Sequence, residues 1–152
     1  MASTVEQARD RVRSTGARVT GARVRVLAAL LEAGEALANT DLQKRLEQAD
    51  SPELLDRVTL YRVLDWLVET GLAHRVSGTD RTWRYSAQTL EQAGPVRHGH
   101  FRCRDCARVI CLEAPTGFDR ILTDMLPDGF TSDAFELTML GRCAACASGA
   151  KD

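Results

Sequence analysis

Two C-x-x-C steps, Cys103–Cys106 and Cys143–Cys146, stand far apart in this sequence, and they constrain what the chain can fold into more than any other feature. Two residues between cysteines let a tight turn aim both sulfurs at one ion. Two such turns, drawn from two chain segments, complete a tetrahedron of thiolates suited to zinc. Reversible dithiols and unliganded thiols are the other readings of the same residues. An ion held by four thiolates has no open position for substrate, so the spacing predicts one structural zinc per chain. Its role is to hold a small unit with a meagre core in a folded state.

The remaining composition agrees with a metal role for these cysteines. No apolar run in the 152 residues approaches a membrane span, and the opening stretch MASTVEQARDRVRS lacks the hydrophobic segment of a secretory signal. A cytoplasmic protein is therefore expected, with no membrane partner, in a compartment where disulfide staples are rare. A hydrophobic content of 44% suffices for one compact domain or two small ones. The formal net charge of −1 excludes coating of nucleic acid by bulk charge, so any DNA binding must use a local basic patch.

The first half reads as helical. Ser3 with Glu6 makes a capping-box pattern, and Thr20 is placed to cap a helix in which Val24, Leu27, Ala28 and Leu31 recur on one face before Gly34. NTDLQKRLEQ predicts a short helix burying Leu42 and Leu46, and SPELLD one further turn from Ser51 and Pro52. DRVTLYRVLDWLVETG is the most informative segment: Asp56 caps it, Leu60, Val63, Leu64 and Leu67 form its inward stripe, and Gly71 ends it. LAHRV and TWRYS then read as two short strands joined by SGTDR. Helices followed by such a hairpin outline a winged helix-turn-helix. The fold class expected is α+β: a winged-helix domain over residues 1–86, a linker over 87–97 with Gly94-Pro95, and a small α/β unit over 98–152 carrying the four-cysteine zinc site. In that unit we expect strands through Phe101, in RVICL and in FELTMLGRC, with a helix over FDRILTDML.

His98 and His100, two apart, project from one face of a strand and are able to share an ion; alone they are also what an exposed strand carries by chance. His74 on the first wing strand reads as a partly exposed base, and Cys111 as either a ligand or a small core hydrophobe. An enzyme is not expected. There is no H-E-x-x-H helix, the thiolate site is closed, neither C-x-x-C is expected at the start of a helix in a βαβ context, and no small-molecule substrate is implied.

The stretches GARVTGARVRVLAALLEAGEALANTDLQKRL, DRVTLYRVLDWLVETGLAHRV, HGHFRCRDCARVI and GRCAAC, in this order, resemble the ferric uptake regulator family of bacterial metal-dependent repressors, over roughly residues 8–147. The resemblance implies a winged-helix DNA-binding domain, a dimerisation domain, and a homodimer that binds double-stranded operator DNA when loaded with its regulatory metal. It implies structural zinc at the two C-x-x-C pairs, and a regulatory site at the hinge that includes His98 and His100. The iron-sensing pattern is not fully met, because Arg97 and Gly99 interrupt the histidine run and FELTMLGRC has no histidine. GLAHRV instead resembles the zinc uptake regulator branch, which implies His74 as a further ligand, with Cys111 or Glu113 as fourth. Imidazole with thiolate suits zinc, so a zinc-responsive repressor of metal-uptake genes is expected, with regulatory zinc. Iron sensing with Fe2+ is the alternative, ahead of manganese or peroxide sensing. The resemblance also implies Tyr61 and Arg62 as the DNA-contacting pair. Thr59 lies on the same polar side, and Arg57, Arg18, Arg23, Arg25 and Arg84 are further candidates for phosphate.

Overall fold

The structure is a computed structural model that describes residues 3–49, 55–78, 80–88, 99–133 and 135–149. The chain divides into two compact units, 1–89 and 90–152. Most of the extra turn expected at SPELLD lies outside the described residues.

The first unit contains α1 (Thr4–Ser14), α2 (Gly21–Ala33), β1 (Leu37–Ala38), α3 (Asn39–Gln48), α4 (Arg57–Glu69), β2 (Ala73–Ser77) and β3 (Trp83–Ala87). Its helix ends follow the local chemistry of the sequence. The Ser3 hydroxyl accepts from the Glu6 N–H at 3.3 Å while the Glu6 carboxylate accepts from the Ser3 N–H at 2.9 Å, closing the capping box. Thr20 caps α2 and Asp56 caps α4, and Gly34 takes the left-handed φ of 63° that terminates α2 without a Cβ clash.

Packing departs from the sequence reading at α2. The expected stripe of Val24, Leu27 and Ala28 is buried, but so are Val26, Ala29 and Leu30, while Leu31 is only half-buried. The reason is that α1, α3, α4 and β3 all pack on this helix, so it is enclosed on more than one side. α4 keeps its one-sided pattern, with Leu60, Val63, Leu64 and Leu67 inward. The hairpin β2–β3 gains a third strand, in the order β1-β3-β2, because Leu37 and Ala38 pair with Tyr85 and Arg84.

The second unit contains β4 (Gly99–Cys103), β5 (Val109–Leu112), α5 (Phe118–Asp124), β6 (Leu137–Gly141) and the one-turn α6 (Ala144–Ala147). The sheet order is β5-β4-β6; β5 runs antiparallel to β4, and β6 runs parallel to it after a crossover through α5. Gly141 permits this pairing, since a Cβ there would come within 3.1 Å of the Phe101 ring. Among the described residues of this unit only Cys103, Val109 and Cys143 are buried apolar side chains. The unit is thus short of core, as expected. The whole is an α+β chain with a winged helix-turn-helix followed by a small α/β unit.

Candidate metal centres and nucleic-acid interface

Parallel pairing of β4 with β6 is what brings the two C-x-x-C steps together. Cys103 lies in register with Gly141, so both strands deliver their following turns to the same end of the sheet. The first turn is closed by a Cys103 N–H to Arg108 carbonyl bond of 2.9 Å and by Ala107 in the left-handed region at φ 60°. The two turns are tied by the Arg104 N–H donating to the Gly141 carbonyl at 2.8 Å, and by an exposed Arg142–Asp105 ion pair at 3.1 Å.

All four sulfurs lie within 4.8 Å of one another. The Cys106 and Cys143 sulfurs are 3.8 Å apart, far beyond the ~2.05 Å of a disulfide. That spacing matches the edge, about 3.8 Å, of a tetrahedron with Zn–S bonds of about 2.3 Å. The Cys103 thiol is drawn down to about 6 by the backbone N–H groups of Cys106 and then Cys143, the latter at 3.3 Å from its sulfur. Cys146 is pushed up to about 12 by its hydrogen bonds to Cys143 and Cys106. One thiolate is therefore welcome and further ones are resisted, an opposition that a divalent cation removes. These residues fit a structural zinc ion. Cys143 is the N-cap of α6, which follows β6 and is the last element described, so it is not the helix of a βαβ unit. That helix is a single turn, and its two cysteines belong to the four-sulfur cluster.

A second constellation forms on the same sheet. His100 on β4 is the direct partner of Cys111 on β5, so the two side chains share a face, and their ligand atoms approach within 4.8 Å. Both residues are half-buried. Glu113 is exposed just past the end of β5. His98 lies outside the described residues. In the first unit His74 sits on β2 opposite Ser86 and is 8% exposed, more enclosed than the surface base the sequence suggested.

The polar side of α4 carries Arg57, Tyr61, Arg62 and Asp65, all exposed, with Tyr61 at 44%. Thr59 is otherwise engaged. Its N–H and hydroxyl donate to the Asp56 carboxylate at 2.9 and 2.6 Å, which holds that carboxyl below its ordinary range, the Thr59 hydroxyl bond being the larger cause. Of the other arginines, Arg18 is exposed, whereas Arg23 stacks on Trp66 at 3.8 Å and donates to the Arg18 carbonyl at 2.7 Å. Arg25 donates to the Leu46 carbonyl at 3.5 Å. Arg84 is held by Asp80 through two bonds of 2.9 Å.

The sequence pattern of the ferric uptake regulator family matches residues 14–139. The chain belongs to this family. Ferric uptake regulators are metal-responsive, DNA-binding transcription regulators and not enzymes, which answers the question the cysteines raised. Ferric uptake regulation protein 1 of Mycolicibacterium fortuitum is 29% identical over 126 residues, spanning 83% of this chain and 73% of that protein. Among solved structures, a zinc uptake regulator complexed with zinc and DNA is 26% identical with a TM-score of 0.69, covering 98% of each chain. The Vibrio cholerae ferric uptake regulator shares the fold at 22% identity and a TM-score of 0.66, covering 88% of this chain and 98% of that one. No helix among the described residues is long and apolar enough to cross a membrane.

Proposed function

We propose that this chain is a zinc-responsive repressor of metal-uptake genes that binds double-stranded operator DNA as a metal-loaded homodimer. The observation that carries the choice of metal is the pairing of an imidazole, His100, with a thiolate, Cys111, on one face of the second unit. Nitrogen with sulfur suits zinc, whereas ferrous iron and manganese are better served by carboxylate and water. The regulatory set we propose is His98, His100 and Cys111 with His74 from the wing, and Glu113 as the substitute for Cys111. A separate structural zinc belongs to Cys103, Cys106, Cys143 and Cys146. The likeness to a zinc uptake regulator bound to zinc and DNA supports the same reading.

For DNA, the exposed Tyr61 and Arg62 of α4 are the proposed base readers. Arginine donates two bonds to guanine O6 and N7, and tyrosine meets a thymine methyl or a phosphate. Arg57 and Arg18 offer charge to phosphates, while Arg23 and Thr59 act through the positions of Trp66 and Asp56. In this reading the metal draws ligands from both units and so selects among their arrangements, and metal and operator strengthen each other's binding by the same factor.

Iron sensing is the second reading, favoured by the name of the Mycolicibacterium fortuitum relative. Operator affinity at buffered free zinc, iron and manganese separates the two. We expect zinc alone to raise it, and Cys111→Ser with His100→Ala to abolish that rise while leaving one zinc per chain. A rise with iron and none with zinc would falsify the zinc assignment.

A further inference from the structure

The wing carries an arginine–tryptophan stack that no part of the fold needs. Arg75 on β2 is the register partner of Tyr85 on β3, and Trp83, two residues before Tyr85, shares that face of the hairpin. The Arg75 guanidinium carbon lies 4.6 Å from the Trp83 ring centroid, so the ring face orients it. Arg75 nevertheless remains exposed, and Trp83 is 48% exposed outside the core cluster. No carboxylate pairs with Arg75 among the described residues, in contrast to Arg84, which Asp80 holds with two bonds.

The position of the stack points to what covers it. β2 packs on α4, and Tyr85, the register partner of Arg75, lies in one core cluster with Leu60, Leu64 and Leu67 of that helix, so the hairpin that carries the stack runs alongside α4. Arg81, exposed in the wing turn, adds charge of the same sign, and the neighbouring Asp80 is engaged by Arg84. A helix seated in the major groove has a sugar-phosphate strand running past its flank. A guanidinium oriented by an aromatic face presents its fork to a phosphate with little freedom left to lose.

We infer that Arg75 is a phosphate-binding residue of the wing, with Trp83 as its positioning residue, extending the contact of α4 onto the flanking backbone of duplex DNA. This rests on the DNA-binding reading above. Phosphate contacts fix register and carry no base information, so the pair sets affinity and salt dependence and leaves sequence discrimination to Arg62.

The test uses the full-length zinc-loaded protein and a duplex selected by it from a random-sequence pool. Arg75→Ala is expected to lower affinity equally for selected and scrambled duplexes and to reduce the slope of log K against log salt by about 1. Trp83→Ala is expected to lower affinity about 2–5-fold with the slope kept, and Trp83→Phe to restore part of it. A direct readout comes from Trp66→Phe, which leaves Trp83 as the single tryptophan. Its emission should become shielded from acrylamide on duplex binding. An unchanged slope in Arg75→Ala, or equal quenching of Trp83 with and without duplex, overturns the inference. If in that case Arg62→Ala still relaxes discrimination, the DNA-binding reading survives and only the wing contact falls. A wild-type chain that selects no duplex removes both.

Discussion

Asp56 shows how a single side chain sets the start of α4. Its carboxylate accepts from the Thr59 N–H and hydroxyl at 2.9 and 2.6 Å, satisfying a helix-end donor that has no partner within the helix. These bonds favour the charged form, so the folded-state pKa lies below the unfolded value. The stabilisation is therefore complete above the unfolded carboxylate pKa of about 3.9, and is lost as pH falls through the folded value. Thermal unfolding followed from neutral pH down to about pH 3 should show Asp56→Asn keeping the neutral-pH midpoint with a weaker acid dependence. Asp56→Ala should lower the midpoint by a few degrees and also flatten the acid dependence. Equal acid dependence in all three proteins would contradict this account of the cap.

At the scale of elements, the parallel β4–β6 pair and its two cysteine turns form one unit of stability. Three buried apolar side chains among the described residues are too few to hold a three-stranded sheet and a helix, and two of the three are the cysteines themselves. Structural zinc sites bind with apparent free energies of about 10–16 kcal/mol, comparable with or larger than the about 5–15 kcal/mol that holds a typical domain together. Removing the metal should therefore unfold the second unit and spare the first. Loss of the structural zinc, through Cys143→Ser or strong chelation, should strip hydrogen-exchange protection from the amides of β4, β5 and β6. The amides of α2 and α4, which sit in a separate and well-filled core, should keep theirs. Intact protection of β4 after metal loss would show that the sheet stands without its clip.

The chain as a whole leaves apolar surface uncovered. In the second unit Ile121, Met125, Phe130, Met139 and Leu140 are 59%, 75%, 67%, 54% and 54% exposed. Large apolar side chains gathered in one small unit ask for a partner, and a second copy related by a two-fold axis covers such a patch on both chains at once. The proposed homodimer meets that need and doubles the basic patch that one chain of net charge −1 presents. Ile121→Glu on α5 with Met125→Glu at its C-cap should convert the dimer to a monomer in sedimentation velocity, with zinc content unchanged. Operator affinity should fall about 100-fold or more, because the second half-site is no longer held at high effective concentration. A double variant that stays dimeric would move the interface elsewhere.

Local chemistry made much of this legible in advance. Caps at Ser3, Thr20 and Asp56, the one-sided stripe of α4 and the two wing strands depend on residues within a few positions of each other. A metal clip was likewise written in the C-x-x-C spacing, since two residues suffice to aim two sulfurs at one point. What lay beyond reach depends on separation along the chain. Leu37–Ala38 is too short to show alternation and becomes a strand only because β3 offers it an edge. The burial of α2 on more than one side comes from four neighbours that no periodicity within the helix can count. Register decided the rest. One residue of slip between β4 and β5 would turn His100 and Cys111 to opposite faces, and only the folded sheet fixes that they share one. Pairing across the hairpin likewise sets Arg75 against Trp83, so the role inferred for the wing belongs to the tertiary structure alone.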